Sequence, residues 1–382
     1  MKCQREKFNL QRKYAYLNCA YMSPLMKKVE KAGIKGIKLK RKPFHISAHD
    51  FFGETEAVRL LYSQLINNPN PNRIVLIPSV SYGLANVVNN LPFDSGKIII
   101  ADEQFPSNVY PWLALDRKKF TVKTIEPNDS QNRGKDWNQK IIAAIDEETR
   151  VVSIGHVHWS DGTLFNLKEL RKRLDEVGGL LIVDGTQSIG ALPFDLKEIR
   201  PDALICGAYK WLLGPYSIGL GYYGQAFDHG KPIEENWINR KNSEDFTRLV
   251  NYQDEYQDGA LRYEVGEHSN FILVPMLHEA LTQLLRWKPE NIQGYCRELM
   301  RVPVEEIKSF GYLIEDEEYR GSHLFGIRVK DPNLVEPLKR SFEKHRVSVS
   351  FRGDAIRVSP NIYNDEMDVR KLLKALKEPI FA

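Results

Sequence analysis

The sequence predicts an α/β fold, with a mainly parallel sheet in a large lobe followed by a smaller α+β lobe. Three observations predict it. Short β-branched runs recur through the middle of the chain, helix-length amphipathic stretches separate them, and roughly the last hundred residues break that rhythm.

The apolar runs are, in order, Arg73–Ile77, Lys97–Ile100, Thr121–Ile125, Val151–Ile154, Leu180–Val183 and Ala203–Cys206. Several are apolar throughout rather than alternating, the pattern of parallel strands covered on both faces. A helix pattern from Leu167 to Val177 lies between two of them and closes on Gly178-Gly179, a C-terminal stop. Strand, helix, strand in succession is the βαβ unit of a parallel sheet. Beyond a turn-rich, charged stretch around residues 255–270, the spacing predicts helices over Val274–Trp287 and Val302–Ser309. It then predicts strands near Leu324–Val329 and Val347–Ser350, and a terminal helix over Asp365–Leu376.

At 382 residues the chain is too long for one small core and asks for two or three packed lobes. Its 42% hydrophobic and 27% charged residues are ordinary for a soluble globular protein, and a net charge of +4 selects no anionic partner. The basic run Lys35–Lys42 reads as a solvated face rather than a nucleic-acid site. Cys3, Cys19, Cys206 and Cys296 form no CxxC pair and no zinc spacing, which points to a reducing compartment. Met1–Lys7 lacks the apolar core of a signal peptide and no run of 18 apolar residues exists. A cytoplasmic protein without membrane spans or nucleic-acid partners is the expectation.

Two segments carry the chemistry. Leu180–Val183 ends in Asp184-Gly185-Thr186-Gln187-Ser188, so an acid stands at a strand's carboxyl end, where ligands of α/β sheets bind. Alone, Asp184 is open to magnesium binding, helix capping or ribose contact. After Ala203–Cys206 comes Gly207-Ala208-Tyr209-Lys210-Trp211-Leu212-Leu213-Gly214-Pro215. Burial among these apolar neighbours would lower the Lys210 pKa and favour the neutral amine that forms imines. The blander reading is a lysine snorkelling from a loop. Asp184 and Lys210 lie 26 residues apart, one strand–helix–strand unit, so both can project into one crevice.

Together these segments resemble the two signature regions of fold-type I pyridoxal 5′-phosphate (PLP) enzymes of the class V aminotransferase family. That family includes cysteine desulfurases, kynureninase and isopenicillin N epimerase-like proteins. The resemblance implies that Lys210 carries PLP as a Schiff base, that Asp184 pairs with the pyridine nitrogen, and that Gln187 bonds the ring's phenolic oxygen. Tyr209 would contact the phosphate, where relatives often have His. Pro78-Ser79-Val80-Ser81-Tyr82-Gly83 follows the first strand; an ordinary Ser N-cap would explain it, and the family match makes Val80 and Ser81 a phosphate cradle. Phe105 falls where the family stacks a ring on the pyridine face, as in kynureninase. Arg357 matches the arginine that grips the substrate carboxylate.

Departures from the family shape the expectation. Trp159 stands where many relatives have Asn and is read as part of the substrate pocket. His156 and His158 share a strand face but lack a third ligand, so no metal is expected. Val349–Ser359 contains no cysteine, which argues against persulfide chemistry and cysteine desulfurase activity. The loop Leu261–Asn270 resembles one that reaches a neighbouring subunit's phosphate, yet Glu267 replaces the usual Thr, and it stays unassigned. No GxGxxG or GxxxxGK[ST] supports the alternative of a nucleotide binder. The expected division is an N-terminal segment (1–30) packing with the small domain, a large PLP-binding domain (31–262) and a small C-terminal domain (263–382). The expected activity is an aminotransferase acting on an amino acid as a homodimer. A lyase, an epimerase or a non-catalytic PLP-binding protein are the alternatives.

Overall fold

The computed structural model describes residues 1–129 and 131–381. The chain begins with β1 (Ala15–Tyr16), α1 (Lys27–Leu39) and α2 (Gly53–Leu65). The alternating portion holds β2 (Ile74–Ile77), α3 (Val80–Asn89), β3 (Gly96–Ala101), α4 (Tyr110–Leu113), β4 (Phe120–Ile125), α5 (Arg133–Ala143) and β5 (Thr149–Gly155). It continues with α6 (Leu167–Val177), β6 (Leu180–Asp184), α7 (Leu196–Ile199), β7 (Ala203–Gly207) and β8 (Gly219–Tyr223). The remainder comprises α8 (Leu273–Trp287), α9 (Pro289–Ser309), β9 (Phe325–Arg328), α10 (Val335–His345), β10 (Val347–Ser348), β11 (Ser350–Arg352), β12 (Ala355–Val358) and α11 (Glu366–Phe381).

Strands β2 to β8 form one seven-stranded sheet in the order β2-β8-β7-β6-β5-β3-β4. Neighbours from β7 to β4 run parallel, and β8 runs antiparallel to both β7 and β2. The continuous apolar runs are explained by cover on both faces: β2 and β7 are buried at every position, and β6 at all but its terminal Asp184. One face packs Leu181, Val183 and Leu204 with α2, α6 and α8, and the other packs Ile182, Ala203 and Ile205 with Leu84 and Val87 of α3. The chain leaves β3 outward to β4, then crosses back to β5. This reversal opens a crevice at the carboxyl ends.

The expected strands are all present, but β8 escaped the reading. Its Gly219 and Gly221 weaken a strand pattern. A Cβ at Gly219 would lie 2.5 Å from the Cys206 carbonyl oxygen, so the close pairing with β7 demands glycine there. The expected helix Val302–Ser309 is only the last part of α9, which starts at Pro289 and carries Pro303 inside it. The basic run lies on the exposed side of α1 and the turn after it.

Strands β9, β11 and β12 form a three-stranded antiparallel sheet that α9, α10 and α11 pack against. Its core takes Ala15 and Leu17 from the N-terminal segment, where β1 pairs in parallel with β10.

Candidate active site

Six connections meet at the carboxyl ends of the sheet. Pro78–Ser81 leaves β2, Phe105 and Ser107 follow β3, Trp159 follows β5, and Asp184 closes β6. Tyr209 and Lys210 follow β7, and Tyr216–Ile218 enters β8 from the same end because that strand is reversed. These residues, with Thr186, Gln187 and Gly207, line a cavity of about 320 Å³.

Lys210 is 6% exposed, and no hydrogen bond to its amine occurs among the described residues. Burial, reinforced by the Arg357 charge, holds its pKa down to about 8. Its Nζ lies 5.6 Å from the Phe105 ring centroid and 5.4 Å from that of Tyr209. Asp184 accepts a 2.9 Å bond from the Thr186 N–H, and burial keeps its carboxyl above the usual range against the opposing pull of Thr186 and Lys210. The Thr186 hydroxyl in turn accepts from the Gly207 N–H at 3.1 Å, tying the β6 and β7 turns together.

Gln187 is held from three sides. Its Nε2 donates to the Ala20 carbonyl (3.1 Å), its Oε1 accepts from the Trp211 indole (2.9 Å), and its own carbonyl accepts from His323 Nε2 (2.8 Å). His323 Nδ1 takes a 2.7 Å bond from Gln293, which places the imidazole proton on Nε2, and burial keeps that ring neutral, with a pKa near 4. One N–H of the Gln187 amide remains for the cavity.

At the other wall, Ser79 caps α3 by accepting from the Tyr82 N–H. The Val80 and Ser81 N–H groups in the first turn have no protein acceptor among the described residues, so the cap and a free anion cradle coexist. The Tyr209 ring packs edge-on against Tyr216, 4.7 Å between centroids, and burial pushes its phenol up to about 12. Phe105 and Trp159 meet edge to face at 5.3 Å, and the Trp159 indole donates to the Glu103 carbonyl at 2.6 Å.

Arg357 is no surface charge: it is 1% exposed, with Nη1 donating to the Trp159 carbonyl at 2.6 Å and Nη2 reaching Ser350 Oγ at 3.4 Å. Its Nε is buried without a partner, and burial lowers its pKa to about 9. Of the nine residues singled out from the sequence, eight line this cavity, and the ninth, Arg357, bonds the backbone of one of them, Trp159. Thr186, Ser107, Tyr216 and Ser217 were missed, the last two because β8 was not recognised. The Leu261–Asn270 loop is held elsewhere, with Glu264 paired to Arg59 and accepting from the Leu76 N–H.

The aminotransferase class-V family model matches residues 39–350. The chain belongs to that family. Curated relatives in it include an uncharacterized aminotransferase of Bacillus subtilis (strain 168), 26% identical over 83% of this chain and 81% of that one. A kynureninase of Geobacillus thermodenitrificans (strain NG80-2) is 23% identical over 86% and 79% of the two chains. Among solved structures, a cysteine desulfurase of Thermococcus onnurineus NA1 superposes with a TM-score of 0.84 at 19% identity, covering 100% and 99%. A C-DES variant with glycine covalently linked to its PLP cofactor gives 0.85 at 20% identity, covering 98% and 99%. This class-V chain is a PLP-dependent enzyme with the fold-type I architecture.

The expectation that set cysteine desulfurases aside needs correction. Structures so named share the whole fold, so the fold gives no ground for setting them aside, and the absence of cysteine from Val349–Ser359 stands as a difference of sequence alone. The site fits PLP: an orphaned buried amine, a carboxylate 26 residues before it, free amides at the start of α3 and an aromatic wall bound one cavity. No helix among the described residues is long and apolar enough to cross a membrane.

Proposed function

We propose that the protein acts on the amino group or α-carbon of an amino acid, as an aminotransferase, with Lys210 as the residue that holds PLP. The observation that carries the reading is the buried, unpartnered Lys210 amine sharing a cavity with Asp184.

The side chains divide the work by chemistry. Asp184 holds a proton on the pyridine nitrogen, and a carboxyl held between the pulls of burial and Lys210 suits a shared proton. Val80 and Ser81 offer amides to the phosphate, with the Tyr209 hydroxyl beside them, and Gln187 offers its remaining N–H to the phenolic oxygen. Phe105 covers one ring face. Arg357 takes the substrate carboxylate in a two-pronged bond, replacing the weak Ser350 contact it makes now. Trp159, whose carbonyl already holds Arg357, walls the substrate side and excludes water. Bound here, PLP supplies an electron-accepting ring that lowers the cost of breaking a bond at the α-carbon. Burial, which lowers the Lys210 pKa to about 8, favours the neutral amine that takes a proton from the α-carbon and returns it nearby.

The kynureninase and desulfurase likenesses favour a second reading, a lyase in which a β-substituent leaves. The large (31–262) and small (263–382) domains, with 1–30 packing on the latter, belong to the same reading, although α8 of the small-domain span packs on the large sheet; so does a cytoplasmic location. We propose a homodimer as well.

The experiment is a visible spectrum of the purified protein before and after borohydride, with peptide mapping, followed by a panel of L- and D-amino acids that includes L-cysteine. A visible band of a PLP–lysine linkage that borohydride fixes on Lys210 and that is lost in Lys210→Ala supports the site. Amine transfer to a keto acid supports the aminotransferase, and release of a β-group supports the lyase. A protein that PLP cannot load, or a label on another lysine, overturns the assignment.

A further inference from the structure

Strands β11 and β12 form a hairpin in which Ser350 faces Arg357 and Arg352 faces Ala355. Side chains two apart on a strand share a face, so Arg352 is the diagonal neighbour of Arg357, about 7–8 Å away along the sheet. Both guanidinium groups reach the same residue. Arg357 bonds the Trp159 carbonyl, and Arg352 lies over the Trp159 indole, 5.4 Å from its centroid. Trp159 lines the cavity.

Neither arginine has an acidic partner among the described residues. The acids in reach are committed elsewhere: Asp161 to Arg133 and Arg328 (3.0 and 2.8 Å), Glu103 to Arg133 (3.1 Å), and Asp354 to Arg328. The Nε atoms of both Arg352 and Arg357 are buried without any hydrogen-bond partner, and Arg352 Nη1 has only the carbonyl of its neighbour Phe351. Lys210 thus feels one acid, Asp184, against two other cations, the buried Arg357 and the half-buried Arg352. Arg352 depresses the proton affinity of Arg357, and both arginines depress that of Lys210. Arg352 itself is half-buried, but its Nε, like that of the buried Arg357, is shut off from solvent, and a buried donor without a partner is costly unless a ligand supplies an acceptor.

We infer that Arg352 is a second anion-binding residue of the site, and that the substrate is an amino acid with a second negative group, an acidic amino acid. The inference rests on the reading of Arg357 as the holder of the α-carboxylate and adds the specificity for the side chain. Trp159 touches both cations and gives Arg352 a π-face on which to rest.

The test uses PLP-loaded protein and probes without an amine, so that binding is read apart from turnover. Succinate and glutarate are titrated against propionate and butyrate by calorimetry and by tryptophan fluorescence. Wild type should bind the dicarboxylates at least about tenfold more tightly than the monocarboxylates, the difference one charge-assisted bond makes. Arg352→Gln should bring the dicarboxylates down to the monocarboxylate affinity, with Arg352→Lys intermediate. Arg357→Gln should weaken both classes. Equal affinity of the two classes, or a preference that survives Arg352→Gln in a variant with the wild-type melting temperature, overturns the role of Arg352 and leaves Arg357 standing. Binding of neither class to wild type overturns the carboxylate site itself and the inference with it.

Discussion

Lys210 is more costly to the fold as a cation than as an amine, and its pH dependence follows from that. Its ordinary pKa of 10.5 falls to about 8 through burial and the Arg357 charge. At about 1.4 kcal/mol per pH unit, the cofactor-free protein loses roughly 3 kcal/mol of stability to this group. The folded pKa is the lower one, so the loss is fully present below pH ~8 and vanishes as pH rises toward 10.5. Lys210→Met should therefore stabilise the cofactor-free protein by about 2–3 kcal/mol at pH 7, with the gain shrinking to near zero by pH 10.5. Denaturant unfolding of both proteins across that range decides it, and a gain that does not move with pH would show that packing, not charge, is responsible. The same residue was legible in the sequence, not by itself, since a snorkelling lysine would read alike, but because Asp184 stands one strand–helix–strand unit before it and the two segments resemble one family's signatures. Arg352 was not legible. Its segment was read for a missing cysteine, and its meaning depends on Trp159, 193 residues away in the chain, and on which acids are already paired.

At the scale of elements, α3 links the sheet to the phosphate cradle through Gly83. A Cβ there would sit 2.7 Å from Ile205 Cγ2 on β7 and 2.9 Å from Ile77 Cδ1 on β2. Alanine is the better helix former by about 1 kcal/mol, yet overpacking costs about 1–3 kcal/mol. Gly83→Ala should lower the melting temperature and, by lifting the Val80 and Ser81 amides off their position, weaken PLP binding several-fold. Adding Ile205→Ala should restore PLP affinity while leaving stability low, a split that fluorescence titration and thermal melting read separately. No loss of affinity in Gly83→Ala would detach α3 packing from the cradle. The strands this helix rests on were readable because parallel, doubly covered strands are apolar throughout. Strand β8 was hidden by the glycines that its close pairing requires, and the start of α9 by Pro303, which reads as a helix start but lies inside the helix.

The whole molecule is closed by its first residues. Arg5 and Asp368 form a buried pair at 2.8 Å, with side chains 6% and 3% exposed, joining the N-terminal segment to α11. Arg5 also donates to the carbonyls of Tyr363 and Tyr14, and Asp368 accepts from Asn364. Next to them β1 extends the β10 edge, and Ala15 and Leu17 complete the apolar core there. Breaking a buried pair from one side leaves an uncompensated charge, typically a 3–5 kcal/mol loss, whereas replacing both partners by apolar residues costs far less. Asp368→Leu should therefore destabilise by about 3–5 kcal/mol, and Arg5→Met with Asp368→Leu should recover most of it. Trp287 gives a local view, because its indole donates to Gln4 beside Arg5 at 3.3 Å. If the pair pins the N-terminal segment, the part of the emission that Trp287→Phe removes from the six tryptophans shifts red in Asp368→Leu at lower denaturant than the global transition, and the double variant returns the two transitions to coincidence. Coincident transitions in Asp368→Leu would mean that the β1–β10 pairing and its apolar contacts hold the segment without the charges.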